Sequence, residues 1–459
     1  MTKPSLHIAL ISEHASRLAV PGSVDADGRA LDIAEVVQNL AAAGHTVDVL
    51  TRREDAKLPA VACLCPSVRV LQMDAGPACF VPNGALLPHM PAFAEAVRRL
   101  RGRPYDVLHA QFSISGWVGL ALRLSLGVPL VTSFHAPAVG RRAHLGAADQ
   151  VPPARIGIER ALALQSDRVI AACPEDAIDL MRLFGTPRER ISSVPCGVDS
   201  HAFRPGDKGS ARQRLGLPAD RFLVLHLGSL APRNGIDNVI RALALMPPGQ
   251  DPLLLVVGGE SVEPDERFTP EIGQLRRVAS AHGVGRQVQF VGRRDRPALR
   301  DWYLAADVVV STPWSQSCGT TALQAMACAR PVVGSDVGGM AHAVVDGVTG
   351  FLVPPKDPDA LAVRLNLLQA DPARGAKMGL AGTDLVRRQH TWAQVARQLA
   401  AVYTDVVLAQ DGAMPQRPSQ PPAMPPGQHL SLVPSGSGLV LTQAAAVPQA
   451  AAVAQAPPS

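Results

Sequence analysis

The chain has 459 residues, a formal net charge of +5, 47% hydrophobic residues and only 4% aromatic ones. This length sets two domains as the expectation, with apolar residues enough for two cores. A weak basic excess without basic-aromatic clusters excludes a nucleic-acid binder, and no apolar run reaches the roughly eighteen residues of a spanning helix. The opening Met1-Thr2-Lys3-Pro4 lacks the layout of a signal peptide, so a cytoplasmic location is expected. The seven cysteines are scattered. Cys63 and Cys65 stand too close for the usual zinc spacing, so reduced thiols with no metal and no disulfide role are expected.

The first half alternates strand-like and helix-like segments. His7 to Ile11 reads as a buried strand, Leu31 to Ala43 as a helix stopped by Gly44, and Thr46 to Leu50 and Val68 to Met73 as strands. Met90 to Leu100 has helical spacing. Asp106 to Ala110, Pro129 to Ser133 and Arg168 to Ala171 are further short apolar runs between turns. Near Phe203-Arg204-Pro205-Gly206 the pattern restarts. Strands are expected at Phe222 to Gly228, Leu253 to Val257, Val288 to Val291, Val308 to Ser311 and Pro331 to Gly334, with helices such as Asn238 to Leu245 and Thr321 to Cys328 between them. Such alternation implies two α/β domains, each a doubly wound parallel sheet that binds ligands beyond its strands' C-terminal ends. The expected boundaries are 1–204, 205–390, a final helix over 391–410, and a Pro/Ala/Gln-rich tail over 411–459 that buries too little to order. Within that tail, Leu430 to Val433 and Leu439 to Leu441 form a short apolar patch.

Several stretches carry polar residues where the strands end. The loop Pro21-Gly22 to Gly28-Arg29-Ala30 precedes a helix and suits an anion or a plain connection equally. His135 ends a strand, in Thr132-Ser133-Phe134-His135, and as a lone residue is more often structural. Arg141, Arg142 and Arg155 suit a phosphate or polyol, or else a solvated loop with one Arg–Glu pair.

The stretch Pro313-Trp314-Ser315-Gln316-Ser317-Cys318-Gly319-Thr320-Thr321-Ala322-Leu323-Gln324 resembles the nucleotide-sugar signature of retaining glycosyltransferases of family 4. Val194-Pro195-Cys196-Gly197-Val198-Asp199, Asp346-Gly347-Val348-Thr349-Gly350-Phe351 and Thr391-Trp392 resemble its framework motifs, and the likeness covers roughly residues 6 to 408. The nearest branch is that of the mycothiol-pathway N-acetylglucosamine transferase and of sucrose-phosphate synthase. The resemblance implies a GT-B fold, two Rossmann-like domains facing a central cleft, with the final helix crossing back to the first domain. It implies no cofactor and no metal, and as co-substrate a nucleotide sugar, UDP- or GDP-linked. A hexosyl unit would pass, with retention, to a sugar, polyol-phosphate or glycan acceptor, small or lipid-linked. By the resemblance His135 and Gln316 meet the donor sugar as the catalytic pair, and Gln324 holds the ribose. Gly28, Ser229, Arg233, Asn234, Gly319, Thr320 and Thr321 surround the diphosphate, and Asn83, Arg141, Arg142 and Arg155 the acceptor.

The sequence departs from the family where the family is charged. Ser229 and Asn234 replace an Arg and a Lys that bind the diphosphate, and Gln316 and Gln324 replace two glutamates. Asn83 replaces a phosphate-binding Lys, Asp27 a glycine, Arg29-Ala30 a Gln-Asn pair, and Ala329 a further glycine. Two readings follow: a transferase with a neutralised donor cleft, or an impaired paralogue acting as a binding or regulatory partner. The expected protein partner is a second copy, as a homodimer, or an active homologous transferase.

Overall fold

The computed structural model describes residues 5–19, 29–134, 153–315, 318–413, 429–435 and 438–444. Eight short strands form the first sheet. They are β1 (His7–Ile11), β2 (Thr46–Arg52), β3 (Val61–Cys65), β4 (Val68–Met73), β5 (Val107–Gln111), β6 (Leu130–Ser133), β7 (Arg168–Ala171) and β8 (Ile191–Ser193). Their order is β3-β4-β2-β1-β5-β6-β7-β8. All pairs are parallel except β3 with β4. Every residue of β1 and β5 is buried, as expected of strands covered on both faces.

The second sheet holds β9 (Leu223–Leu227), β10 (Leu253–Val257), β11 (Val288–Gly292), β12 (Val308–Ser311), β13 (Val332–Ser335) and β14 (Gly350–Val353). It runs β11-β10-β9-β12-β13-β14, parallel throughout. In each sheet the chain leaves the central strand in one direction and later returns to its other side. The switch points fall between β1 and β5 and between β9 and β12, where crevices open at the strands' C-terminal ends.

Helix Trp392–Ala413 leaves the second domain and packs on the first. Trp392, Leu399 and Tyr403 share a buried cluster with Ile33, Val37 and Ile170. The Tyr403 hydroxyl meets His109 Nδ1 at 2.6 Å, and burial pushes its phenol well above the ordinary value. The first and last parts of the chain are thus welded together.

Within the tail, His429–Ser435 and Gly438–Ala444 are described as an antiparallel hairpin, with Leu432 opposite Leu441 and Val433 opposite Val440. One expectation needs correction. Cys196 is bonded to Cys318, across 122 residues, while Cys63, Cys65, Cys79, Cys173 and Cys328 are free. No short spacing motif marks such a pair in the sequence; only the facing of the two domains brings it together.

Candidate functional site

The second domain contributes a notch at its switch point. β9 ends at Leu227, and the chain runs through Ser229 and the short turn Pro232–Asn234 into helix Ile236–Ala244. Gly235 has φ +69°, and a Cβ there would lie 2.2 Å from the Thr312 carbonyl oxygen. A glycine is therefore what lets this loop meet the one that follows β12. The contact is made by the Thr312 hydroxyl donating to Gly235 O at 2.9 Å and by Trp314 N–H donating to Arg233 O at 2.8 Å.

Asn234 and Ser229 are tied to one another, Asn234 Nδ2 donating to Ser229 O at 2.6 Å. Asn234, at one of the two positions expected to differ from an Arg and a Lys, therefore closes a short neutral clasp onto the backbone of the other. Ser229 and Arg233 are exposed and Asn234 is half-buried. Lys356 adds a second cation at this rim, its Nζ 3.8 Å from the centroid of the Trp314 ring.

Helix Thr320–Ala327 begins at Gly319 with no side-chain cap, so its first N–H groups remain available to an anion. One turn on, Gln324 is half-buried and accepts at Oε1 from the Tyr303 hydroxyl at 2.8 Å. Tyr303 is wholly buried on helix Arg296–Ala305, and desolvation drives its phenol far above the ordinary value. The hydroxyl therefore stays protonated and fixes the amide: Oε1 is occupied, and Nε2 is the end left for a ligand. Just past this helix, Ala329 stands at φ +55°, which accounts for the glycine that the resemblance sets there.

The first domain contributes a cavity of about 390 Å³ at its own switch point. Glu13, just past β1, and Gln111 and Phe112, where β5 ends, line it together with Ser133 and Arg155. Glu13 is buried; its carboxylate accepts from the Ser115 hydroxyl, and its N–H donates to the same oxygen at 3.0 Å. Arg155 Nε donates to the buried Glu159 at 2.7 Å. His109 joins the wall, its Nε2 2.7 Å from Ser133 Oγ. Phe112 holds φ +69°, a costly conformation for a bulky residue and one that clusters at functional sites. Among the described lining residues the charged ones are Glu13, Asp32 and Arg155. The deeper wall is apolar, with Ile158, Ile170, Trp392 and Leu399.

The two halves meet beside these sites. Cys196 lines the cavity and bonds Cys318, which directly precedes Gly319. Glu175 accepts from the N–H of Gly338 across the same junction. His390 sits below, its Nδ1 3.2 Å from Cys196 O, and burial lowers its pKa.

Of the residues expected from the sequence, Ser229, Arg233 and Asn234 lie in the loop after β9, Gly319, Thr320, Thr321 and Gln324 at the start of the helix after β12, and Arg155 lines the cavity. Asn83 opens the short helix Asn83–Leu86, whose Gly84 lines the cavity. Gly28, His135, Arg141, Arg142 and Gln316 lie outside the described residues. Sequence reasoning did not assign Glu13, His109, Gln111 or Tyr303 to the site, and it expected no disulfide such as Cys196–Cys318. Glu13 was detectable in principle, as the residue that follows the first central strand. Among the described residues no cluster of His, Cys, Asp or Glu could hold a metal ion, and no helix is long and apolar enough to cross a membrane.

Two family descriptions match the chain in sequence, "Glycosyltransferase Family 4" over residues 30–202 and "Glycosyl transferases group 1" over residues 207–384. A D-inositol 3-phosphate glycosyltransferase from Catenulispora acidiphila is 37% identical over 412 residues, spanning 87% of this chain and 96% of the relative. One from Kribbella flavida is also 37% identical over 412 residues, with the same coverage. Among solved structures, sucrose-phosphate synthase from Thermosynechococcus elongatus superposes with a TM-score of 0.77 at 31% identity, over 88% of this chain and 100% of that one. The HepE protein of Anabaena, solved with UDP and glucose, shares the fold at 21% identity, with a TM-score of 0.66 over 87% of this chain and 100% of its own. The shared two-domain body is the GT-B arrangement.

Proposed function

We propose, from the premise that the chain belongs to the family 4 glycosyltransferases, that it moves a hexosyl unit from a UDP- or GDP-linked sugar to an acceptor hydroxyl with retention. The chain is a glycosyltransferase; the donor, the acceptor and the residue roles are our reading. One observation carries it. The uncapped start of helix Thr320–Ala327 and the Gly235 loop sit at the β9–β12 switch point, one helical turn from a Gln324 held ready by Tyr303.

In this reading the diphosphate lies against the N–H groups of Gly319, Thr320 and Thr321. Gln324 Nε2 donates to the ribose hydroxyls, and Arg233 and Lys356 supply positive charge at the rim. His135 and Gln316 meet the sugar. The acceptor enters the cavity, with its hydroxyl toward Glu13 and His109. The bond from the anomeric carbon to the β-phosphate oxygen breaks as the acceptor oxygen bonds that carbon from the same face. The acceptor's proton goes to the departing phosphate oxygen, which leaves as the nucleoside diphosphate. No protein carboxylate need accept the proton, in keeping with the neutral Gln316.

The relatives are named for a phosphorylated acceptor. Among the described residues of the wall, Arg155 is already engaged by Glu159, and Glu13 and Asp32 are the carboxylates. A phosphate dianion beside two carboxylates is disfavoured by Coulomb repulsion in a sheltered site, whereas hydroxyls bond carboxylates well. Of the acceptors expected, this favours an unphosphorylated sugar or glycan, with the apolar inner wall taking its less polar face.

The donor half is tested through Tyr303. Tyr303→Phe removes the bond that orients Gln324 and leaves the rest of the fully buried ring in place. Losing one such bond costs about 1 to 1.5 kcal/mol, so KM for the donor is expected to rise about tenfold with kcat nearly unchanged. Steady-state kinetics check it. A fall in kcat at constant KM would show that Gln324 does not hold the nucleotide.

A further inference from the structure

We propose that Cys196 and Cys318 form a thiol–disulfide switch that governs how freely the two domains part around the donor notch. The switch rests on reading that notch as the donor site only for its effect on turnover. The pair itself stands on geometry. Its Cα atoms are 5.9 Å apart, inside the range that a disulfide needs. One partner belongs to the segment that closes the first domain, the other to the loop that starts helix Thr320–Ala327 in the second.

Position gives the bond its leverage. Cys196 lines the 390 Å³ cavity, and it also lines, with Cys318, Gly319, Leu323 and His342, the narrow space between the domains. Cys318 lies one residue before the uncapped helix start. A bond there ties the acceptor wall directly to the diphosphate-facing N–H groups. Glu175, bonded to Gly338 N–H, is a second and weaker tie across the same junction. When the disulfide is closed the domains are stapled at a point beside both ligands. When it is open only the exposed Glu175 contact remains of the two, and such a contact yields readily in water.

Chemistry singles out this pair. Both cysteines are half-buried residues. Cys173 and Cys328 are buried, and desolvation pushes each thiol up to about 12, so neither competes. Cys63, Cys65 and Cys79 are free and belong to the first domain alone. Opening takes two equivalents of a small thiol. The first, as thiolate, attacks one sulfur and expels the other; the second resolves the mixed disulfide. The cysteines take up the two protons and two electrons, and the small thiol leaves as its own disulfide. Closing is the reverse reaction, with a small disulfide as oxidant.

The test uses the full chain, equilibrated with reduced or with oxidised glutathione. Peptide mapping of the oxidised protein is expected to recover a linked Cys196–Cys318 fragment. Hydrogen exchange at the amides of residues 319–323 is expected to quicken at least tenfold on reduction, as is the association rate of UDP. Cys318→Ser and, independently, Cys196→Ser are expected to match the reduced protein under both conditions, and Cys63→Ser to respond like wild type. Absence of the linked fragment, or equal exchange in both states, would overturn the switch. If UDP binds neither form, the donor reading fails while the exchange result still decides the switch.

Discussion

Asn234→Lys combined with Ser229→Arg is expected to raise kcat/KM for the nucleotide sugar by on the order of 10² to 10³. Asn234 now spends its amide on Ser229 O, and the pair closes the β9 loop as a neutral clasp. A lysine keeps a donor on a longer stem and brings a full charge to the loop that follows β9, whose neighbours Arg233 and Gly235 touch the loop after β12. An arginine at the exposed Ser229 adds a planar fork for phosphate oxygens. Charge on the departing diphosphate grows in the transition state, so these cations act on kcat more than on KM. Steady-state rates for the single and double variants check this, with Arg233→Ala as the opposite change. Unaltered rates would mean that the diphosphate does not lie against this loop.

Gly235→Ala is expected to act in the other direction, costing about 2 to 5 kcal/mol of stability and at least about 10²-fold in turnover. Two effects add. A non-glycine residue at φ +69° costs about 1 kcal/mol, and the new Cβ would sit 2.2 Å from Thr312 O, an overlap relieved only by moving backbone. The movement separates the β9 and β12 loops, and a displacement of about 1 Å at reacting groups suffices for such a loss. Gly44→Ala is the control: φ there is +94°, yet nothing lies within 4 Å, so it pays the strain alone. Urea denaturation of the two variants separates strain from overlap. Equal costs would show that the loops are not in firm contact.

Much of this framework was legible in the sequence because short apolar runs such as Leu253–Val257 are buried on both faces and punctuated by turns. β3 was overlooked because Val61–Cys65 is an edge strand whose residues are exposed or half-buried, so its apolar content looked like scattered cysteines. Helix Phe112–Leu126 was overlooked for the opposite reason. It is buried on nearly all sides, so no polar face marks its period, and Gly116 and Gly119 sit within it as close-packing positions against Leu162 and Leu130.

The candidate site divides in the same way. The part of the proposed donor site after β12 is contiguous in sequence, from Gly319 to Gln324, and a motif suffices to find it, whereas Ser229, Arg233 and Asn234 come from the separate loop after β9. Its supports are not contiguous. Tyr303 lies 21 residues before Gln324, and Cys196 lies 122 residues before Cys318, so tertiary packing alone joins them. The four neutral replacements read in the sequence as a loss of function. The structure recasts two of them: Asn234 closes its loop onto the Ser229 backbone carbonyl, and Gln324 is positioned by a buried hydroxyl.

The central claim is that this neutralised cleft still transfers sugar. Its most direct test is product formation by the wild-type chain, offered UDP-glucose, UDP-N-acetylglucosamine and GDP-mannose in turn. Inositol, its 3-phosphate and a panel of free sugars serve as acceptors. One nucleotide sugar is expected to release nucleoside diphosphate in step with a glycosylated product of retained anomeric configuration, and an unphosphorylated acceptor is expected to outpace the phosphate. No product from the wild-type chain with any donor would contradict the account, and product appearing only after Ser229→Arg, Asn234→Lys, Gln316→Glu and Gln324→Glu are combined would assign the chain to the impaired reading instead.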